Sequence, residues 1–191
     1  MGREFELKFR TEVSVLAEIQ EKYGAFTPIS METTYYDTVD RKLSSLHWTL
    51  RCRMENSISV CTFKCPHSSG GRGEWEVEAG SILEGIPKLC KEGATPELMV
   101  LTAGGLTEVC GARFTRLAKQ LEVPGGLVEL ALDQGVLLGN GKELPFAEVE
   151  VELKEGTDET AAAFARALAQ EYGLIPEAKS KFARAMALAM G

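Results

Sequence analysis

The chain lacks the features that would place it in several broad classes. It has no apolar run approaching the ~18 residues of a membrane-spanning helix. Its start, Met1-Gly2-Arg3-Glu4-Phe5-Glu6, alternates charge with apolar residues and contains no apolar core of a signal peptide. Five cysteines (Cys52, Cys61, Cys65, Cys90 and Cys110) form no C-x-x-C pair, and they read as small buried hydrophobes in a reducing compartment. A cytoplasmic location is therefore expected. The only histidines, His47 and His67, are not spaced as a zinc pair. There is no basic excess either: 21 Lys and Arg stand against 28 Asp and Glu, a net charge of −7, which argues against general nucleic-acid binding. With no linker-like break in composition and no low-complexity tract, residues 1–191 read as a single domain.

What the chain does have is alternation. Residues 3–10 place Glu4, Glu6, Lys8 and Arg10 on one face and Phe5, Leu7 and Phe9 on the other, the period of a half-buried strand. A helical pattern over 12–23 ends at Gly24. Strands are predicted at 31–38, 46–54, 58–65, 72–79, 114–122, 127–133 and 144–154, with a broken helical region at 81–104. Asn140-Gly141 marks a hairpin turn, and helices are predicted at 158–172 and about 177–190. The expected class is α+β, rich in antiparallel strands.

Several of these strands carry charge along one face. Glu4, Glu6 and Lys8 share a face, as do Glu74, Glu76 and Glu78, and again Glu148, Glu150 and Glu152. Arg51, Arg53 and Lys64 repeat the pattern with cations. Any one such strand fits an ordinary solvated face. Taken together they weaken that reading, because like charges neighbouring along or across a ladder repel unless something neutralises them. A sheet curled around this face would concentrate charges in need of a ligand. Clustered carboxylates suit Mg²⁺ or Mn²⁺ shared with phosphate oxygens, and Arg and Lys suit the phosphate itself.

The residues also resemble a known family. Glu4-Phe5-Glu6-Leu7-Lys8 is similar to the E-x-E-x-K signature of the CYTH superfamily, the triphosphate tunnel metalloenzymes. In family order follow Tyr35-Tyr36-Asp37-Thr38, Leu50-Arg51-Cys52-Arg53, Thr62-Phe63-Lys64, Arg72-x-Glu74-x-Glu76, Leu132-Asp133-Gln134-Gly135, Glu148-x-Glu150-x-Glu152-Leu153 and Ser180-Lys181-x-x-Arg184. The resemblance implies an eight-stranded antiparallel β-barrel, the triphosphate tunnel, with helices packed outside. It implies that Lys8, Arg51, Arg53, Lys64 and Lys181 bind the triphosphate. Glu4, Glu6, Glu148 and Glu150 would bind metal or orient water, so that Glu4, Glu6 and Lys8 are the catalytic candidates. Glu76, Asp133 and Glu152 would support them. The family also places a basic residue on the strand after the central helices. Arg113, Arg116 and Lys119 compete for that place, and Arg116 is favoured.

Three activities fit such a lining. The expected one is metal-dependent hydrolysis of inorganic triphosphate or a small organic triphosphate, with Mg²⁺ or Mn²⁺. A class IV adenylyl cyclase, converting ATP to cyclic AMP and pyrophosphate, would use the same clamp but also needs a base pocket. A non-catalytic polyphosphate or nucleotide binding module would need a lost catalytic group, and every motif position is filled. The expected partner is a small-molecule triphosphate, with neither nucleic acid nor membrane, and the oligomeric state (monomer or homodimer) stays open. Lys154 is expected to be solvated, and Arg184 could point either way.

Overall fold

The computed structural model describes residues 5–66 and 72–191, Arg72 by its backbone only; Glu4 and His67 lie outside them. The strands are β1 (Glu6–Arg10), β2 (Thr27–Asp37), β3 (Thr49–Glu55), β4 (Ile58–Pro66), β5 (Arg72–Glu78), β6 (Thr107–Val123), β7 (Gly126–Gly139), β8 (Lys142–Glu155) and β9 (Ile175–Pro176). The helices are α1 (Val13–Tyr23), α2 (Lys42–Ser45), α3 (Ile82–Lys91), α4 (Glu97–Thr102), α5 (Asp158–Tyr172) and α6 (Lys181–Met190). All the strands belong to one antiparallel sheet in the order β5-β4-β3-β2-β6-β7-β8-β1-β9.

Among the described residues, this sheet differs from a closed eight-stranded barrel in two ways. A ninth, two-residue strand adds to β1, pairing Ile175 with Arg10 and Pro176 with Phe9. Proline offers no N–H to a further neighbour, so the sheet stops there. The edges β5 and β9 are not joined by ladder hydrogen bonds. The sheet nevertheless curls far enough that Glu74 and Glu76 of β5 and Glu6 and Lys8 of β1 line one cavity.

Alternation decides which side of the sheet each residue takes. On β8, Val149 and Val151 are fully buried on the outer side, where Leu16 and Ile19 of α1 and Ala161, Ala165 and Leu168 of α5 cover them. The α5 residues recur at helical spacing, and the helix starts in a capping box between Thr157 and Thr160. A second outer core joins Leu50, Cys61 and Phe63 to Ile82, Ile86 and Leu89 of α3, with Trp48 and Trp75 packed against it. Asp37 is buried and accepts hydrogen bonds from the Thr38 and Leu43 amides at 2.8 and 2.9 Å, which ties α2 to the end of β2. Asn140 and Gly141 both take positive φ, 52° and 71°, as the hairpin between β7 and β8 requires.

α6 packs differently from the other helices. Phe182 and Ala185 meet the inward-facing Met31, Tyr35 and Phe114, so this helix caps one end of the cavity. Of the two adjacent tyrosines, Tyr35 is buried against α6 and Tyr36 packs on the second outer core.

The reading of all five cysteines as unpaired hydrophobes is corrected at two of them. Cys52 and Cys61 are register partners in the β3–β4 hairpin, with Cα atoms 4.2 Å apart, and are joined in a disulfide. They lie at equal distances from the turn at Asn56-Ser57, a relation the spacing already contained. Cys90 and Cys110 keep free thiols. Burial pushes the Cys110 thiol up to about 12.

Candidate active site

The inner faces enclose a cavity of about 700 Å³. β3 and β4 supply its basic wall, because Arg51 and Arg53 alternate with the outward Leu50 and Cys52, and Lys64 follows Phe63. Each cation has a carboxylate beside it. Lys64 meets Glu74 at 2.8 Å, Arg51 lies 3.6 Å from Glu76, and Glu76 accepts from the Thr62 hydroxyl at 2.9 Å. The Arg53 guanidinium donates to Glu55 through Nε at 2.7 Å. Burial, with Arg51 close by, lowers the Arg53 pKa from its ordinary value.

β1, β7 and β8 form the acidic wall. Glu6 faces Glu152 and Lys8 faces Glu150 in the register of β1 on β8, and Glu129 faces Glu152 from β7. Lys154 sits among them, 2.9 Å from Glu152 and 3.9 Å from Glu129, and it lines the cavity while staying exposed to solvent. The alternating face of β8 continues past Glu152 and brings it there. Glu129 was missed in the sequence; its signal was the period of two that it shares with Asp133.

Beside α6 lies the most densely charged group. Asp133, Glu148 and Glu150 each present an oxygen within 4.8 Å of the others, and all three are buried. Arg116 donates to both oxygens of Asp133, at 2.8 and 2.7 Å, and also to Glu150. The Lys181 ammonium lies 2.8 Å from Asp133, 2.5 Å from Glu148 and 2.6 Å from Glu150. Arg184 donates to Glu148. Three carboxylates thus meet three cations, which is how such groups survive burial. Burial opposes the charge of Glu150, but Lys181, Arg116 and Lys8 outweigh it and hold this carboxyl at about 2. For Lys181 burial likewise opposes the charge, and Glu150, Asp133 and Glu148 reverse its effect, raising the pKa.

These placements separate the three cations that competed on β6. Arg116 turns into the cavity. Arg113 is exposed and pairs with Glu143 at 2.8 Å on the outer face. Lys119 donates to the Tyr23 carbonyl and lies 5.9 Å from the Phe26 ring centroid. Glu6, Lys8, Arg51, Arg53, Lys64, Glu76, Arg116, Glu150, Glu152 and Lys181 share the cavity, while Asp133 and Glu148 stand behind its surface at the α6 end. Glu6 lines the cavity without joining the three converging carboxylates, and Glu4 lies outside the described residues.

A cavity with facing basic and acidic walls, built by motifs that run almost the length of the chain, agrees with a sequence match to the CYTH domain over residues 2–186. The chain belongs to the CYTH domain family. Inorganic triphosphatase of Haemophilus influenzae is 26% identical over 96% of this chain. The match covers 54% of that protein, so the chain spans about half the length of this curated relative. Among solved structures, the Hippeastrum protein HpAC1 superposes with a TM-score of 0.71 at 22% identity, covering 96% of this CYTH chain and 95% of its own. It is described as an adenylyl cyclase candidate with a dominant triphosphatase activity. The PH1819 protein of Pyrococcus horikoshii OT3 gives a TM-score of 0.63 at 23% identity, covering 95% and 97%. At these identities the two structures support the CYTH fold.

The buried trio could hold a metal ion. Its donors are all carboxylate oxygens, the set preferred by hard divalent cations. Fully buried, Glu148 Oε2 meets the Lys181 ammonium at 2.5 Å without hydrogen-bond geometry, so an ion pair balances its charge. No helix is long and apolar enough to cross a membrane among the described residues.

Proposed function

We propose that this chain hydrolyses inorganic triphosphate, or a small organic triphosphate, in the charged cavity with the help of Mg²⁺ or Mn²⁺. The observation that carries the reading is the pairing of a basic and an acidic wall around one space of about 700 Å³. In this reading Lys8, Arg51, Arg53, Lys64, Arg116 and Lys181 hold phosphate oxygens, Arg through paired donors and Lys as a point charge. Their carboxylate partners keep them extended into the space before substrate arrives, which reduces the cost of ordering them on binding. Glu76 positions Arg51, Asp133 positions Arg116, and Glu152 positions Lys154.

Glu148 and Glu150, with Asp133, would hold a divalent ion, and Glu4 and Glu6 are the further carboxylates of the same reading. Such an ion supplies Lewis-acid stabilisation of charge on the phosphate oxygens. Glu6 orients the attacking water and accepts its proton as the water oxygen bonds to the terminal phosphorus. The bridging P–O bond breaks, and its electron pair leaves with the diphosphate. The aromatic rings nearest this space are already engaged. Tyr35 packs on Phe182 at 5.0 Å and Phe114 on Phe146 at 5.6 Å, an arrangement poorly suited to gripping adenine. Hydrolysis is therefore favoured over cyclisation, and the chain's charges suit a small, strongly anionic partner.

The test is phosphate release from inorganic triphosphate, ATP and thiamine triphosphate with Mg²⁺, Mn²⁺ or chelator, with cyclic AMP measured in parallel. Metal-dependent release from inorganic triphosphate without cyclic AMP is expected. Cyclic AMP with pyrophosphate would replace the hydrolase with a cyclase, and silence in every channel would leave a binding module.

A further inference from the structure

The ammonium of Lys181 occupies the position that a metal ion would take. Its Nζ stands 2.5–2.8 Å from one oxygen each of Asp133, Glu148 and Glu150, whose oxygens converge within 4.8 Å of one another. An ion bound to these oxygens and an ammonium held among them would compete for the same space. The fit of the ammonium is also incomplete. Glu148 Oε2 lies 2.5 Å from Nζ but outside hydrogen-bond geometry, and Nε of Arg184, which binds the other oxygen of Glu148, is buried without a partner. An ammonium directs three fixed N–H bonds, whereas a metal ion accepts oxygens from any direction that its coordination number allows.

We propose that Lys181 is a resident cation that a divalent ion displaces, and that its displacement delivers the ammonium to the triphosphate. This rests on the metal reading of the trio but not on the identity of the substrate. The local structure permits the exchange. Lys181 is the first residue of α6, immediately after Ser180, whose hydroxyl caps the helix by accepting from the Ala183 amide at 3.1 Å. The cap holds the backbone while the four-carbon side chain swings. In its present place Nζ lies 5.2 and 5.4 Å from the ring centroids of Phe114 and Phe146, and Lys181 already lines the cavity with Phe114, Ser180 and Phe182. A released ammonium thus enters the space where phosphate would lie. Metal and triphosphate would then favour each other's binding through Lys181 as well as by direct contact, and the coupling is reciprocal.

Two measurements test the exchange, and neither reads turnover. In wild-type protein, acetylation of Lys181 by acetic anhydride, mapped by mass spectrometry, should be slow without metal and rise at least several-fold at saturating Mn²⁺. Unchanged protection at saturation would overturn the proposal. This arm needs no variant and so does not depend on how a substituted chain folds. By calorimetry without triphosphate, Lys181→Met should bind Mn²⁺ at least tenfold more tightly than wild type, since the ion no longer has to expel an ammonium. Equal or weaker binding, with the circular dichroism of wild type, would also overturn it. If neither protein binds Mn²⁺, the metal reading of Asp133, Glu148 and Glu150 fails, and the exchange fails with it; if both bind equally, the exchange alone fails.

Discussion

Arg116 and Asp133 are register partners on β6 and β7, and they meet through two parallel hydrogen bonds of 2.8 and 2.7 Å. Asp133 is wholly buried, whereas Arg116 reaches the cavity. Removing one member of a buried pair costs ~3–5 kcal/mol when the other is left alone, and here the loss unbalances the whole group, since Arg116 also meets Glu150 and Asp133 also meets Lys181. Asp133→Ala should therefore lower the urea midpoint sharply, and Arg116→Lys should lower it less, because a charge remains but the planar fork is lost. The double replacement Arg116→Met with Asp133→Leu should recover much of that stability while triphosphate binding stays weak. A double variant as unstable as Asp133→Ala would argue that the pair is held by more than its own charges.

Lys8 and Glu6 lie on the same face of β1, two residues apart, yet should fail differently. Lys8→Ala removes a cation from the phosphate contact set. A hydrogen bond to a charged group is worth ~1.5–3 kcal/mol, or roughly 10- to 100-fold in affinity. Calorimetric titration with inorganic triphosphate should show that loss. Glu6→Gln, combined with Glu4→Gln, should abolish turnover, with a loss of about 10²–10⁴ or more, while the melting curve stays close to wild type. Wild-type turnover in the double glutamine variant would remove these carboxylates from the chemistry.

Much of this arrangement was legible because strands report their faces. The period of two at Glu148, Glu150 and Glu152 placed these residues together on one side, and the structure puts Val149 and Val151 in the opposite core. Other relations depended on registers and on docked helices, which one strand cannot reveal. Arg113 and Arg116 differ by an odd number of residues and so face opposite sides, but only the pairing of β6 with β7 shows which side is inner. Arg184 could be assigned to Glu148 only through the docking of α6 on the end of the cavity. The disulfide was missed because the cysteines were judged by motif spacing rather than by their distance from a hairpin turn.

Gly135, the glycine of the D-x-G segment, should tolerate no side chain. It pairs with Phe114, and a Cβ there would lie 2.2 Å from the Arg113 carbonyl oxygen and 2.5 Å from Phe114 Cα. These are backbone atoms and cannot swing aside. Overpacking of this kind costs ~1–3 kcal/mol or more, and each kcal/mol is worth about 2–4 °C at this size. Gly135→Ala should lower the melting temperature by several degrees. Gly104→Ala is the control, since nothing lies within 4 Å of a Cβ at that position, and it should melt as wild type does. Equal melting of the two variants would mean that β6 and β7 can separate at low cost.

Glu150 sets the direction of an acid-stability test. Its carboxyl is held at about 2 in the folded chain because Lys181, Arg116 and Lys8 together outweigh the effect of burial. An unfolded glutamate titrates near ~4.3, so between these values the unfolded chain binds the extra proton. Stability from this group is thus fully present above about pH 4.3 and is lost as pH falls through about 2. Glu150→Gln has no such proton to bind. It should be less stable than wild type at neutral pH, by an amount that shrinks on acidification across this window, and its stability should fall less steeply with pH there. Denaturant midpoints at several values between pH 5 and pH 2 would measure both slopes. A gap between the two proteins that stays constant across the window would mean that the cations around Glu150 do not favour its charged form in the folded chain.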